Sequence, residues 1–260
     1  MLRRWCVLLA MLAVTVGTAL TASSASAAPN SGWRFSPGGP VHLVGHGAFG
    51  KGLGHQAEST NWSGYAGTTG TYTSVSASWV QPSGTCSRGD QYAAFWVGLD
   101  GYSNSTVEQT GSEVDCVGRT AEYYAWYEMY PGPSENYPNT VKPGDHFSAS
   151  VTYTGNNQYT LAVSDSTQHW TQTTTRTLAG SALSSAEVIV EAPCCTSSGG
   201  VLPLTDFGTM SFTSSDANGS AIGNGGGVTQ IIMVDSRGLD KDTVSSLSGG
   251  TFSATWLRSS

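Results

Sequence analysis

Apolar and polar residues alternate along most of the chain after about residue 61, a period typical of half-buried β-strands. No stretch keeps a 3.6-residue apolar stripe for more than two turns. Turn-rich segments such as Pro82–Gly84 and Gly155–Asn157 separate the alternating runs. The pattern predicts these strands: Val75–Val80, Tyr92–Asp100, Ala121–Tyr130, Phe147–Tyr153, Tyr159–Val163, Ala186–Glu191, Thr209–Phe212, Val228–Val234 and Thr251–Leu257. Regularly spaced short strands over residues 58–260 predict a single all-β domain, either a sandwich or a barrel.

Alternation also sorts side chains between the two faces of each strand. One face is predicted to pack in the core, and it carries Phe95, Val97, Leu99, Ala186, Val188 and Val190. The opposite face combines Trp, Tyr and carboxylates, and it carries Trp96, Asp100, Glu122, Tyr124, Trp126, Glu128, Tyr130, Glu187 and Glu191. An ordinary solvent face carries Lys, Thr and Ser, so this second surface is expected to be the wall of a binding groove.

The N-terminus has the features of a secretory signal. Arg3 and Arg4 precede the largely apolar run Val7–Leu20, and Ala25–Ala27 has small residues of the kind that signal peptidase accepts. We therefore expect residues 1–27 to be removed and the mature protein to be secreted, with no membrane association and as a monomer. Residues 28–57 are rich in Gly and Pro and are expected to be a pro-segment or linker.

Charge is unevenly distributed along the chain. All 18 acidic residues lie at or after Glu58, where only 7 of the 11 Lys and Arg residues are found, so this part has a formal charge of −11. Residues 28–57 carry Arg34 and Lys51 and no acid. An acidic domain is a poor ligand for nucleic acid. The basic segment is instead expected to lie in the acidic groove near neutral pH and to leave it in acid.

Four cysteines remain after removal of Cys6, and export permits them to form disulfides. Three pairings are possible. We favour Cys86 with Cys116, because both lie at the ends of neighbouring predicted strands. Cys194 and Cys195 would then form a vicinal bridge or remain free thiols. Their spacing fits no zinc site, and no metal is expected.

Two predicted strands present groups that together can hydrolyse a peptide bond in acid. Val107–Gly111 presents the Gln109 amide, and Ala186–Glu191 presents a carboxylate. A carboxylate can activate water and protonate the leaving nitrogen, while an amide can stabilise the oxyanion. The sequence lacks G-x-S-x-G, H-E-x-x-H and the Asp-Thr-Gly or Asp-Ser-Gly motifs of aspartic peptidases.

Five ordered motifs resemble those of the glutamic peptidases, the eqolisin family, in its secreted bacterial type. They are Asn61–Gly64, Phe95–Gly101, Glu108–Gly111, Ala125–Pro131 and Ala186–Glu191. The resemblance implies a jelly-roll-like sandwich of two large antiparallel sheets. It also implies an acid endopeptidase that acts on protein or peptide substrates, is insensitive to pepstatin and needs no cofactor.

The same resemblance assigns roles to individual residues. It places the catalytic pair at Gln109 and Glu191, and it places the substrate cleft at Trp62, Trp96, Asp100, Trp126, Glu128 and Tyr130. Asp100 and Glu128 are expected to orient the pair by hydrogen bonds. Glu187 is expected to shape the field of the cleft, and Glu108 to be a solvent or turn group.

A carbohydrate-binding module is the alternative from another functional class. Trp and Tyr on the concave face of a jelly roll can stack on sugars, and the chain has 8 Trp and 11 Tyr. In a variant of this alternative, Glu128 and Glu191 are the paired carboxylates of a glycosidase. The single amide of Gln109 and the basic segment before the domain favour the peptidase.

Overall fold

The structure is a computed structural model of the chain, and it describes residues 39–44, 55–87, 89–194, 200–224 and 226–260. The predicted signal segment and most of the predicted pro-segment lie outside these ranges. The described residues contain no helix that is long and apolar enough to cross a membrane.

The described chain folds into strands numbered here in chain order. They are β1 (His55–Ser59), β2 (Trp62–Gly67), β3 (Ser74–Val80), β4 (Gln91–Leu99), β5 (Val107–Val117), β6 (Thr120–Tyr130), β7 (Glu135–Asn136), β8 (His146–Gly155), β9 (Gln158–Asp165), β10 (Trp170–Thr177), β11 (Ala186–Glu191), β12 (Thr209–Ala217), β13 (Ser220–Ala221), β14 (Val228–Met233), β15 (Asp242–Val244) and β16 (Phe252–Trp256).

These strands form two large sheets. The first has the order β1-β14-β2-β11-β4-β5-β6-β7, and the second has the order β10-β9-β8-β3-β12-β16-β15, with β13 paired to β12. Neighbouring strands are antiparallel except for β1 and β14, which pair in parallel. The fold is therefore the predicted sandwich of two large antiparallel sheets.

The core lies between the sheets and is built from the faces that alternation predicted. Phe95, Val97, Val188 and Val190 are fully buried there, together with residues of the second sheet. Aromatic rings fill much of this space; Trp79, for example, stacks on Phe147 with ring centroids 5.8 Å apart. Burial of such side chains is the main favourable contribution to folding.

All nine predicted strands are present, but the alternation missed β10. This strand reads Trp-Thr-Gln-Thr-Thr-Thr-Arg-Thr, and its residues are exposed or half-buried throughout. An edge strand without a buried apolar face gives no alternating signal.

Part of the predicted pro-segment is bound to the domain. The Val44 N–H donates to the Glu58 carbonyl at 2.9 Å, and the Val41 N–H donates to the Gly101 carbonyl at 3.2 Å. The domain boundary expected after residue 57 falls inside β1, which begins at His55.

Cys86 and Cys116 are joined by a disulfide, as predicted. Cys194 is also disulfide-bonded, so it is not a free thiol. Cys195 lies outside the described residues.

Candidate active site

The face of the first sheet that points away from the core, called here the outer face, carries a second apolar cluster. Trp62, Trp96, Trp126 and Ile189 are among its fully buried members, and Tyr130 packs against them. The predicted groove wall is thus a buried surface in the full-length chain. Val41, from the bound part of the pro-segment, also packs against this cluster.

Four residues lie side by side across the outer face, and we call them the polar row. Gln109 of β5 is opposite Glu128 of β6 on one side and Gly98 of β4 on the other. Gly98 is in turn opposite Glu187 of β11. Because neighbouring strands lie about 4.8 Å apart, the Cα atoms of Gln109 and Glu187 are separated by roughly 10 Å. Gly98 lies between them in the row.

The indole of Trp96 covers Gly98. A Cβ atom at this position would lie 2.8 Å from Cζ3 of Trp96 and 3.2 Å from Cβ of Gln109. Any larger residue would therefore displace the indole or the amide. The missing side chain lets the Trp96 ring lie beside Gln109, over the position that separates Gln109 from Glu187.

Glu128 holds the amide of Gln109 in place. The Gln109 Nε2 donates a 2.8 Å hydrogen bond to Glu128 Oε2, and both side chains are buried. The Gln109 Oε1 is buried without a hydrogen-bond partner among the described residues. The predicted role of Glu128 in orienting Gln109 agrees with this contact.

Glu187 is a fully buried acid in the polar row. Burial raises the pKa of Glu187 well above its usual value, the nearby Ser185 side chain opposes this shift, and the charges of Asp100 and Glu108 add to it. A carboxyl that is kept protonated in this way is a poor base in acid.

Glu191 lies further along β11 and is bound by Trp96. It is opposite Ala94, four residues from Gly98, which is roughly 13 Å along the strand. Its Oε2 accepts a 2.8 Å hydrogen bond from Trp96 Nε1. The indole that covers Gly98 beside Gln109 therefore also binds Glu191. The assignment of Glu191 as the partner of Gln109 stays a prediction.

Asp100 supports a loop rather than the polar row. Its carboxylate accepts hydrogen bonds from the backbone N–H groups of Ala182, Leu183 and Ser184 at 2.8–3.0 Å. It also accepts one from Asn104 Nδ2 at 2.7 Å. Asp100 was expected to orient the catalytic pair by hydrogen bonds, but it anchors the loop that leads into β11. Asp100 affects Glu187 by electrostatic repulsion, which adds to the effect of burial on the pKa of Glu187.

The expectation that Glu108 is a solvent or turn group is wrong. Glu108 is fully buried. Burial raises its pKa to about 8, with a further contribution from the charge of Asp100. Alternation places Glu108 opposite to Gln109, which is correct, but that face packs against the second sheet and Tyr159 lies nearby.

Two indoles on the outer face offer unused hydrogen-bond donors. The Nε1 atoms of Trp62 and Trp126 are buried without partners among the described residues. Trp62 contacts Trp96 edge to face, with ring centroids 4.9 Å apart. Indole N–H groups beside an apolar wall suit a ligand that has both carbonyl oxygens and apolar side chains.

Glu113 is an outer-face acid that the motifs did not single out. It is opposite Ala94, which is itself opposite Glu191, so both acids belong to one row. Burial raises the pKa of Glu113 well above its usual value, and the interactions with Asp115 raise it further. In the sequence, the alternation along β5 already indicates that Glu113 shares the face of Gln109, and this pattern could have identified Glu113 as a residue of the site.

Comparison with known proteins agrees with the fold. The model of the Peptidase A4 family matches residues 60–256. A search of curated proteins gave no match. Among solved structures, scytalido-glutamic peptidase with a transition-state analog inhibitor has a TM-score of 0.67 and 23% identity, covering 76% of this chain and 98% of that one.

Two further structures have the same fold. The eqolisin SCP-B, in complex with the tripeptide Ala-Ile-His, has a TM-score of 0.63 and 22% identity, covering 76% of this chain and 98% of that one. Aspergilloglutamic peptidase from Aspergillus niger has a TM-score of 0.57 and 23% identity, covering 64% of this chain and 99% of that one.

The two-sheet sandwich and the family match define the class, a β-sandwich hydrolase of the glutamic peptidase kind. The family match spans most of the chain, so the protein belongs to the Peptidase A4 family, the eqolisins.

Proposed function

We propose that this protein is a secreted acid endopeptidase in which Gln109 and Glu191 form the catalytic pair. The observation that supports this pair is the position of Trp96, whose Nε1 binds Glu191 while its Cζ3 lies over Gly98 beside Gln109. The signal-like residues 1–27 support export.

In the first step of the proposed reaction, a water molecule between the two side chains attacks the scissile carbonyl. Ionised Glu191 takes one proton from this water, and Gln109 Oε1 accepts a hydrogen bond from it. The carbonyl oxygen becomes an oxyanion, to which Gln109 Nε2 donates its second hydrogen. The bond to Glu128 keeps that nitrogen oriented.

In the second step, the tetrahedral intermediate collapses. The carboxyl of Glu191 gives its proton to the leaving nitrogen, the C–N bond breaks, and Glu191 is again ionised. Because Gln109 does not titrate, it serves as an oxyanion donor at any pH. Only ionised Glu191 can take a proton from water, so its ionisation sets the acid limb of the rate.

The proposed pair is one carboxylate and one amide, not the two carboxylates of aspartic peptidases. We therefore expect pepstatin not to inhibit the enzyme.

Access to the site requires movement of the residues that precede β1. Trp62, Trp96 and Trp126 are fully buried, and Val41 packs against their cluster. Displacement of residues 39–44 would uncover this surface. The basic composition of residues 28–57 supports their release in acid, where the carboxylates of the domain lose charge.

The contacts of the two acids do not favour the glycosidase alternative. Glu128 is bonded to Gln109, and Glu191 to Trp96. Each carboxyl is thus oriented by a different neighbour, whereas a glycosidase needs both carboxyls directed at one glycosidic bond.

The proposal is tested by digestion of casein at about pH 4 to 6 with protein freed of the residues before His55. We expect cleavage that pepstatin does not reduce. Gln109→Ala should lower kcat by about 100- to 1000-fold, because it removes the oxyanion donor. An unchanged rate in this variant, or no cleavage by the freed wild-type protein, would refute the proposal.

A further inference from the structure

A cavity of about 740 Å³ lies beside the loop between β14 and β15. Lys241 lines it at the end of that loop, and Arg237, His42 and the C-terminal Ser260 also line it. Val201, Leu202, Pro203 and Val234 form an apolar part of its wall, and Thr60, Asp235 and Ser236 complete the polar part. None of these residues belongs to the polar row.

Lys241 is the unusual member of this lining because its side chain is buried and its ammonium has no partner among the described residues. The residue is 3% exposed. Its backbone is fixed by a 2.7 Å hydrogen bond from its N–H to the Met233 carbonyl. In the described part of the chain its ammonium makes no hydrogen bond and lies within 4.0 Å of no carboxylate, that of Ser260 included. An isolated buried ammonium is costly in free energy.

The nearby acids are already engaged elsewhere. Asp235 binds Arg237 at 2.6 Å, and it accepts hydrogen bonds from the backbone N–H groups of Arg237 and Leu239. Asp242 accepts a hydrogen bond from the Ser63 hydroxyl. Burial raises the pKa of Asp242 to about 7, so this acid is largely neutral in mildly acidic solution.

The titratable groups around Lys241 therefore leave it as an uncompensated cation below neutral pH. Burial lowers the pKa of Lys241 to about 8, and the charges of Asp242 and Asp235 only partly oppose this effect. Asp240 is exposed, and Asp235 is balanced by Arg237.

We propose that this cavity binds a small organic carboxylate, whose anionic group pairs with the ammonium of Lys241. The buried cation selects an anion, and the apolar wall of Val201, Leu202 and Pro203 accommodates a short carbon chain. The volume exceeds what an inorganic ion would fill and lies in the range of small-molecule sites, about 300–1,000 Å³.

The test is thermal unfolding of the full chain at about pH 6, where Lys241 and a carboxylate are both ionised. Butyrate is compared with its neutral analogue butyramide and with inorganic phosphate, all at equal ionic strength. We expect butyrate to raise the Tm of the wild type by about 2–4 °C at saturation and butyramide to leave it unchanged. Lys241→Met should lose the shift, and Lys142→Met, at an exposed lysine, should keep it.

Three results would overturn the proposal. They are an equal shift with butyramide, a butyrate shift that persists in Lys241→Met, and a shift with phosphate but not with butyrate. If Lys241→Met does not fold, NMR titration of the Lys241 side chain in the wild-type protein decides the question. Butyrate should then raise the pKa of Lys241, and an unchanged value would refute binding.

Discussion

Replacing Glu108 with glutamine should make the protein less sensitive to high pH. Glu108 is buried between the sheets, and its pKa in the folded protein is about 8 instead of the usual 4.5. The folded protein therefore keeps a proton on Glu108 in a pH range where the unfolded chain releases it. Stability from this group is complete below about pH 4.5 and is lost as the pH rises to about 8.

The size of the effect follows from the shift in pKa. A difference of about 3.5 pKa units, at about 1.36 kcal/mol per unit, corresponds to about 5 kcal/mol above pH 8. Relaxation around the charged side chain reduces this figure, so we expect on the order of 3–5 kcal/mol. In acid, the neutral Glu108 and its glutamine replacement should give nearly equal stability.

The assay is urea unfolding at about pH 4.5 and about pH 8.5, below and above the range over which Glu108 loses its proton in the folded state. The wild type should lose more free energy of unfolding between these conditions than Glu108→Gln. Glu58→Gln, at an exposed position, is the matched control and should follow the wild type. Parallel pH dependence in wild type and Glu108→Gln would show that the burial argument is wrong.

Three further predictions concern the site and the disulfide. Gly98→Ala should lower kcat/KM by about 10- to 100-fold, because the new Cβ displaces Trp96 or the neighbouring amide. Glu128→Leu should lower kcat/KM by about tenfold through loss of the Gln109 hydrogen bond, and Glu128→Gln should restore it. Cys86→Ser should reduce stability in urea by about 3–4 kcal/mol, because the disulfide with Cys116 closes a loop with a sequence separation of 30; full stability without the bond would contradict this.

The sequence predicts the faces of the strands well, because alternation depends only on local chain geometry. Trp96 and Val97 lie on opposite sides of the first sheet, as expected. Glu108 was placed on the correct side but assigned to solvent, since nothing local indicates that a second sheet covers that side. The alternation did not predict β10, because the Thr-rich sequence of this strand buries no apolar face.

The choice of acid depends on side-chain packing, which alternation does not reveal. Glu187 and Glu191 share a strand and a face, so they are equivalent by alternation. The register places Glu187 level with Gln109, but the Trp96 indole lies over Gly98 between these two positions and binds Glu191. The position of Gly98 under this indole is a property of the sheet and cannot be recognised in the sequence.

The most direct test of the catalytic pair is a comparison of Glu191→Gln with Glu187→Gln, measured as kcat/KM on one peptide substrate with the pro-segment removed. Both changes preserve size and remove one acid from the same face of β11. We predict a loss of about 100- to 10,000-fold for Glu191→Gln, as expected for a general acid–base group, and nearly full activity for Glu187→Gln. Retained activity in Glu191→Gln together with loss in Glu187→Gln would contradict the proposed pair.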